Sequence, residues 1–231
     1  MKPKSVALLA ALLLVNVSAV ADDATNYFQS GIKKGQQHDY NGAAADFSKA
    51  IELKPDYAEA YNERGLAKGG LAKNPDDLSS VLADYNKAIE LKPDYAEAYY
   101  NRGVAEQAKG DKASALADQN KAIELKPDYD QAYSNRGMIR AANGDYNGAM
   151  ADFNKAIELK PDAMAYKSRG LLKQVEGDLD GAMADYNKAI ELKPDYYLAY
   201  ENRSKLKKAK GDLAGAEADY KKAIELKSQD R

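Results

Sequence analysis

The residue types that most often carry catalysis are scarce in this chain. Of its 231 residues none is cysteine and one, His38, is histidine. This composition excludes disulfides, thiol nucleophiles and metal centres built from several histidines. A catalytic triad would have to use His38, and neither a pair of catalytic carboxylates nor a glycine-rich phosphate loop stands outside the pattern that recurs along the chain. We therefore expect no enzymatic activity, no metal and no cofactor.

The net charge disfavours nucleic acid binding, and the spacing of one polar segment disfavours calcium binding. The chain has 34 Lys and Arg against 36 Asp and Glu, a net charge of −2, so it lacks the basic field that nucleic acid binding requires. Asn74, Asp76 and Asp77 offer oxygen atoms, but their spacing does not fit an EF-hand calcium loop. Asn and Asp at such positions are typical of a capping turn, which is our interpretation.

The first 21 residues have the pattern of a secretory signal peptide. Two lysines precede the apolar stretch 6–15, and Ala19 and Ala21 supply the small residues of a cleavage site. We expect residues 1–21 to be removed, so that the mature protein begins at Asp22 and is periplasmic or secreted, without a membrane contact. The alternative is an uncleaved membrane anchor, which the shortness of the uncharged run disfavours.

After residue 21, one sequence repeat occurs six times. The string Lys-Ala-Ile-Glu-Leu-Lys recurs at intervals of 33 to 38 residues, and its alanine is Ala50, Ala88, Ala122, Ala156, Ala189 and Ala223. A period near 34 residues is typical of arrays of helix pairs. In each unit a first helix carries Ala-Tyr-x-x-Arg-Gly or a variant of it, a polar turn follows, and a second helix ends at Lys-Pro in five of the six copies. The sequence therefore predicts an all-α fold.

These residues resemble the tetratricopeptide repeat (TPR) family. The family has an aromatic residue early in the first helix, which here is Tyr27, Tyr61, Tyr99, Tyr133, Tyr166 and Tyr200. It has a small residue four places later, which here is Gly31, Gly65, Gly103, Gly137, Gly170 and Ser204. The resemblance implies a right-handed α-solenoid of six tandem helix-turn-helix repeats, forming a single array over 22–231. The repeats would span about 24–57, 58–95, 96–129, 130–162, 163–196 and 197–231.

The repeated tyrosine and arginine lead to two expectations about packing. We expect the tyrosine of each first helix, such as Tyr99, to be a core residue that fills the gap beside the glycine.

Five first helices carry Arg before the small residue, and every second helix carries Asp. Because the first unit, which has no predecessor, lacks the Arg, we predict ion pairs across the seams between repeats: Asp46–Arg64, Asp84–Arg102, Asp118–Arg136, Asp152–Arg169 and Asp185–Arg203. The alternative is that each Arg extends into solvent.

The resemblance further implies a concave groove, lined by first helices, that holds an extended segment or a helix of a partner. The implied groove positions are Phe28, Ile32, Asn62, Leu66, Tyr100, Val104, Ser134, Met138, Lys167 and Leu171. Some members of the family grip a C-terminal carboxylate with a Lys/Asn/Arg cluster, whose Lys and Arg are missing here. An acidic C-terminal tail is therefore not the expected ligand.

These observations predict a non-catalytic protein–protein interaction scaffold that is exported from the cytoplasm. Its partner would be another protein or a peptide held in the groove, and not nucleic acid. The alternative that the sequence leaves open is a structural protein whose repeats stack between molecules into a homo-oligomer, without a groove ligand.

Overall fold

The computed structural model describes residues 22–229, and the predicted signal peptide lies outside the described residues. Over 22–229 the chain forms helices joined by turns, without a strand, so the all-α prediction is confirmed. The helices are α1 (22–36), α2 (Tyr40–Leu53), α3 (Ala58–Leu71), α4 (Leu78–Leu91), α5 (Ala96–Lys109), α6 (Lys112–Leu125), α7 (Asp130–Ala142), α8 (Tyr146–Leu159), α9 (Ala163–Glu176), α10 (Leu179–Leu192), α11 (Tyr197–Ala209) and α12 (Leu213–Gln229).

The chain divides into two compact units, one ending at Leu125 and the other beginning at Lys126. The first contains the helix pairs α1–α2, α3–α4 and α5–α6, and the second contains α7–α8, α9–α10 and α11–α12. In each unit a helix packs against the next one in the chain, and odd-numbered helices of successive pairs also touch, as α3 touches α5 and α9 touches α11. Contacts are thus confined to neighbours, as expected of a repeat protein.

The turn inside each regular pair combines a left-handed residue with an aspartate cap. Gly110, Gly144, Gly177 and Gly211 have φ between 85° and 93°, a region that glycine enters without steric cost. The next residue is an aspartate, whose carboxylate in the fourth pair accepts a 2.9 Å hydrogen bond from the Gly148 amide. In the first pair the left-handed residue is His38, at φ 61°.

The enlarged turn of the second pair is a capping structure. A short 3₁₀ helix, Pro75–Asp77, begins after Asn74, whose Oδ1 accepts hydrogen bonds from the amides of Asp76 and Asp77. The Asp77 carboxylate in turn accepts from the amides of Lys73 and Asn74. Both acceptors are therefore used to end one helix and begin the next, which confirms the capping interpretation.

The core of a pair is the crossing of its glycine with the aromatic residue of its second helix. A β-carbon added to Gly65 would lie 2.6 Å from Cε1 of Tyr85, so only glycine permits this approach. The aromatic residue is almost fully buried in four pairs, at Phe47, Tyr85, Phe153 and Tyr186.

The tyrosine of the first helix has a different role from the predicted one. Tyr99 is half-buried and supports the guanidinium of Arg102, which lies 5.4 Å from the centre of its ring. The same stacking recurs in the four other pairs that carry the arginine. The prediction that this tyrosine fills the gap beside the glycine is therefore wrong, because a side chain of the second helix already occupies that gap, an aromatic residue in most pairs and Gln119 in the pair of Tyr99.

The arginine–aspartate pairs are bidentate, but they form within a helix pair and not across the seam. Arg64 donates to Asp84 through Nε at 3.0 Å and through Nη2 at 2.6 Å. The same geometry gives Arg102–Asp118, Arg136–Asp152, Arg169–Asp185 and Arg203–Asp219. The predicted seam pairing is wrong because each Arg and Asp directly precede the glycine and the aromatic residue that cross, so the crossing itself brings their side chains together.

The arginine nevertheless reaches the preceding pair with its remaining nitrogen. Nη1 of Arg102 donates to Oδ1 of Asn86 on α4 at 2.7 Å, and Nη1 of Arg169 donates to Oδ1 of Asn154 on α8 at 2.8 Å. Arg203 does the same with Asn187. One guanidinium therefore joins the two helices of its own pair and the second helix of the pair before it.

The third pair, α5–α6, departs from this arrangement at two positions. In the other five pairs the residue one turn after the arginine position is a cation that pairs with the aspartate: Lys34, Lys68, Arg140, Lys173 and Lys207. Here that residue is Glu106, and burial together with repulsion from Asp118 raises its pKa to about 7. Gln119 replaces the buried aromatic residue, and its Oε1, like Oε2 of Glu106, is buried without a hydrogen-bond partner.

Candidate binding groove

The first unit has two adjoining depressions between its helix pairs. One, of about 510 Å³, lies between the first and second pairs. Its lining is mainly apolar or small and includes Ile32 and Gly35 of α1, Phe47 of α2, and Leu66 and Gly70 of α3. Glycines on both sides leave room where side chains would otherwise meet.

The second depression, of about 410 Å³, lies between the second and third pairs. It shares Leu66 and Gly70 with the first, and α5 adds Tyr100, Val104 and Ala108. We call the two depressions together the first groove. It is lined by α1, α3 and α5, with the beginnings of α2 and α4 behind them.

The predicted groove residues of the first unit lie at different depths. Leu66 and Val104 are 43% and 40% exposed and line the first groove, as do half-buried Ile32 and Tyr100. Phe28 instead packs in a tilted orientation against the rings of Phe47 and Tyr57, at centroid distances of 5.7 and 4.9 Å.

Asn62 is 2% exposed and belongs to a buried polar chain below the surface of the groove. Its Oδ1 accepts from Nδ2 of Asn101 on α5 at 2.9 Å, and its Nδ2 donates to Oε1 of Glu63 at 3.1 Å. These bonds connect α3 to α5 and hold the Glu63 carboxyl group in place. Burial raises the pKa of Glu63 above its ordinary value, although the Asn62 hydrogen bond opposes this.

The predicted groove residues of the second unit lie on α7 and α9. Leu171 is 45% exposed, Met138 and Lys167 are half-buried, and Ser134 is 4% exposed. Burial lowers the pKa of Lys167. An exposed leucine beside a half-buried ammonium group gives α9 a surface of mixed apolar and cationic character.

The last pair has a depression of its own, of about 400 Å³, lined by α11 and α12. It corresponds to the depression beside α1 and α2, but within the described residues, 22–229, no further helix forms a third wall. Consequently Tyr220, which stands where Phe47 stands in the first pair, is 55% exposed. Its rim is charged, with Lys205, Lys208 and Glu217.

Two contributions to the first groove were not predicted from the sequence. Gly35, Gly69 and Gly70 create its volume. The signal for them was glycine where other pairs have larger residues: Gly35 and Gly69 stand where Gln107 and Gln174 stand, and Gly70 stands where Ala108 and Val175 stand. Glu63 lines the depression between the first and second pairs, and the signal for it was a carboxylate at a position where the other pairs carry the neutral residues Gln29, Asn101, Asn135, Ser168 and Asn202.

No helix of the described residues, 22–229, has the length and the apolar composition needed to cross a membrane.

Models of one kind of repeat match most of the chain. A family model described as a TPR repeat matches residues 36–71 and 82–110. Two models described as tetratricopeptide repeats match residues 131–162 and residues 165–196 and 197–230. No curated protein sequence matches the chain.

Several solved structures are similar to this one. MamA is 28% identical, with a TM-score of 0.60 over 75% of this chain and 93% of MamA. YrrB, described as a TPR protein with an unusual peptide-binding site, is 26% identical, with a TM-score of 0.60 over 80% of this chain and 93% of YrrB. PilF of Pseudomonas aeruginosa is 17% identical, with a TM-score of 0.77 over 87% and 90%, and shows the fold alone.

Proposed function

This chain belongs to the tetratricopeptide repeat (TPR) family, and we propose that it is a non-catalytic scaffold whose first groove binds a segment of a partner protein. The observation that carries the proposal is the pair of depressions that meet at Leu66 and Gly70. An apolar surface that is concave and adjoins exposed Leu66 and Val104 is suited to apolar side chains of an extended or helical peptide. The peptide-binding site named for YrrB, a similar structure, adds support.

A selection of peptides tests this proposal directly. We expect the purified protein to enrich peptides with apolar anchors from a random library displayed on phage. Leu66→Gln should weaken the affinity for a selected peptide by at least about tenfold, because it removes a central apolar contact. Leu192→Gln is the matched control, since Leu192 on α10 is 40% exposed against 43% for Leu66. If both variants bind as the unmodified protein does, the first groove is not the binding site.

Self-assembly is the second candidate, and the exposed apolar residues of α12 favour it. Leu213, Tyr220 and Ile224 are 66%, 55% and 52% exposed. On α1, however, exposed Lys33 occupies the place that buried Ala67 takes on α3, so α1 of a second copy would bring a charge onto this surface. We therefore expect light scattering to give a monomeric mass at micromolar concentrations. A mass that rises with concentration would support self-assembly instead.

We also propose that the protein is exported, on the pattern of residues 1–21. The N-terminus of the abundant species isolated from cells should then be Asp22, as determined by mass spectrometry of the N-terminal peptide. An abundant species that begins at Met1 would show that the segment is retained.

A further inference from the structure

Glu63 places a carboxylate among the apolar residues of the first groove. It lies on α3 and lines the depression between the first and second helix pairs, together with Ile32, Phe47 and Leu66. Its side chain is half-buried. Burial raises the pKa values of Tyr85 and Tyr95, and the nearby charge of Glu63 adds to this effect. The carboxylate is therefore surrounded by aromatic and aliphatic groups and only partly by water.

The charge of Glu63 has no cation to balance it within the described residues. Its hydrogen-bond partner is the neutral amide of Asn62, at 3.1 Å. On the same helix Glu59 pairs with Lys92 at 2.9 Å, and Asp84 opposite α3 receives both Arg64 and Lys68. The cations nearby are thus committed to other carboxylates.

A carboxylate in this position loses hydration without gaining a counter-charge. Losing water disfavours the ionised form, whereas a cation brought next to it in a partly desolvated site forms a strong charge-assisted hydrogen bond. Charge complementarity of this kind selects partners, because a neutral or acidic side chain at the same place leaves the carboxylate unpaired. Asn62, buried and bonded to Asn101, holds the carboxyl group of Glu63, a residue that lines the groove, by a hydrogen bond.

We propose that Glu63 receives a lysine or arginine side chain of the bound segment, so that the partner of the first groove is an apolar segment that carries a basic residue. This inference rests on the proposed function, because it names the chemistry of the ligand of the same groove. The apolar depressions on either side of Leu66 take the apolar side chains, and Glu63 fixes the register of the segment by its single charge.

Parallel selections from the random phage-displayed library test the inference. We expect the unmodified protein to enrich peptides with Lys or Arg next to apolar residues. Glu63→Gln, which keeps the shape and the Asn62 contact, should still enrich apolar peptides but without the basic residue, and Glu63→Lys should enrich acidic ones. Glu59→Gln is the control, because it removes a charge from the same helix whose partner is Lys92.

The outcomes separate this inference from the function on which it depends. For a peptide selected on the unmodified protein, Glu63→Gln should weaken binding at least about tenfold, and Glu59→Gln by less than about twofold. A basic preference that is unchanged in Glu63→Gln, or absent from the unmodified protein, overturns the inference but leaves the groove function standing. If no peptide is enriched by any of the proteins, the groove function fails and the inference fails with it.

Discussion

Glu106 stands where five other helix pairs place a lysine or arginine against the aspartate of the second helix. Its pKa is raised from an ordinary value of 4.5 to about 7 by burial and by Asp118. The folded state therefore binds this proton more tightly than the unfolded state does. The contribution of Glu106 to stability is complete below pH 4.5 and is lost as the pH rises through about 7, where the folded carboxyl group ionises beside Asp118.

We accordingly expect the free energy of unfolding to fall by about 1 kcal/mol between about pH 5 and pH 8, since water reaches part of this carboxyl group and screens the repulsion. Urea denaturation at several pH values measures this. Glu106→Gln should abolish most of the decline, and Glu106→Lys should place a second cation on Asp118, as Lys68 does on Asp84. The exposed Glu124→Gln serves as control. An identical pH profile for Glu106→Gln and the unmodified protein would contradict this account.

His38 has the left-handed backbone that the other regular turns give to glycine. A residue with a β-carbon pays roughly 1–2 kcal/mol in this region, and the hydrogen bond between its Nδ1 and the Tyr40 hydroxyl is exposed. His38→Gly should therefore raise the free energy of unfolding by about 1 kcal/mol, measured by thermal or urea denaturation. Gly144→Ala, in the equivalent turn at φ 85°, should lower it by a similar amount. Stabilisation in both variants would rule out backbone strain as the cause.

At the scale of the element, α6 differs from the second helices of the other pairs, because it carries Gln119 where they carry an aromatic residue. Gln119 is fully buried and donates to the carbonyl oxygen of Tyr100 at 3.1 Å, but its Oε1 is unpaired. In α8 the same place holds Phe153, packed on Gly137. Gln119→Phe should therefore stabilise the protein by about 1–2 kcal/mol through added apolar burial and loss of the unpaired acceptor.

The reverse change in α8, Phe153→Gln, provides the comparison for that prediction. It should cost about 2–4 kcal/mol, because it buries a polar group where the neighbouring residues fit a ring. Urea denaturation of both variants is the measurement. If Gln119→Phe destabilises the protein, then α6 has adapted to glutamine by a local shift that the other second helices lack.

The helices were predictable because each repeats the same residues at the same places. Gly65 and Tyr85 identify the crossing of a pair. Because Arg64 directly precedes Gly65 and Asp84 directly precedes Tyr85, the same crossing predicts that Arg64 meets Asp84. The missing arginine of the first pair suggests pairing across the seam, but this local geometry determines the pairs that form. In the first pair, where Ser30 stands in place of the arginine, Lys34 supplies the cation for Asp46.

The groove was less predictable, because it depends on how far apart successive first helices stand. Its volume comes from Gly35, Gly69 and Gly70, whose equivalents in other pairs are larger and vary. The periodic pattern identified the exposed Leu66 and Val104, since they recur on one face. It could not show that Asn62, one turn before Leu66 on the same helix, is buried and forms hydrogen bonds with Asn101 and Glu63.

At the scale of the whole molecule, contacts between consecutive pairs imply that stability accumulates pair by pair. Removing residues 197–231 takes away Ala199 and Leu206, which pack on α10, but leaves the other helix pairs with their own crossings. We expect this truncated chain to remain helical by circular dichroism, with its Tm lowered by roughly 5 °C or more. Removing α8 alone should be far more damaging, because α7 and α9 both lose the helix on which they pack. Complete loss of helicity in the first truncation would contradict this view.

The arginine that joins two pairs also bears on how such a chain grows. A helix pair such as α9–α10 carries Arg169, which reaches back to Asn154, and Asn187, which receives Arg203 from the next pair. The α9–α10 pair thus brings one donor and one acceptor for its neighbours. An in-frame duplication of the corresponding stretch of the gene would therefore insert a pair whose contacts on both sides are already encoded, without any compensating mutation elsewhere.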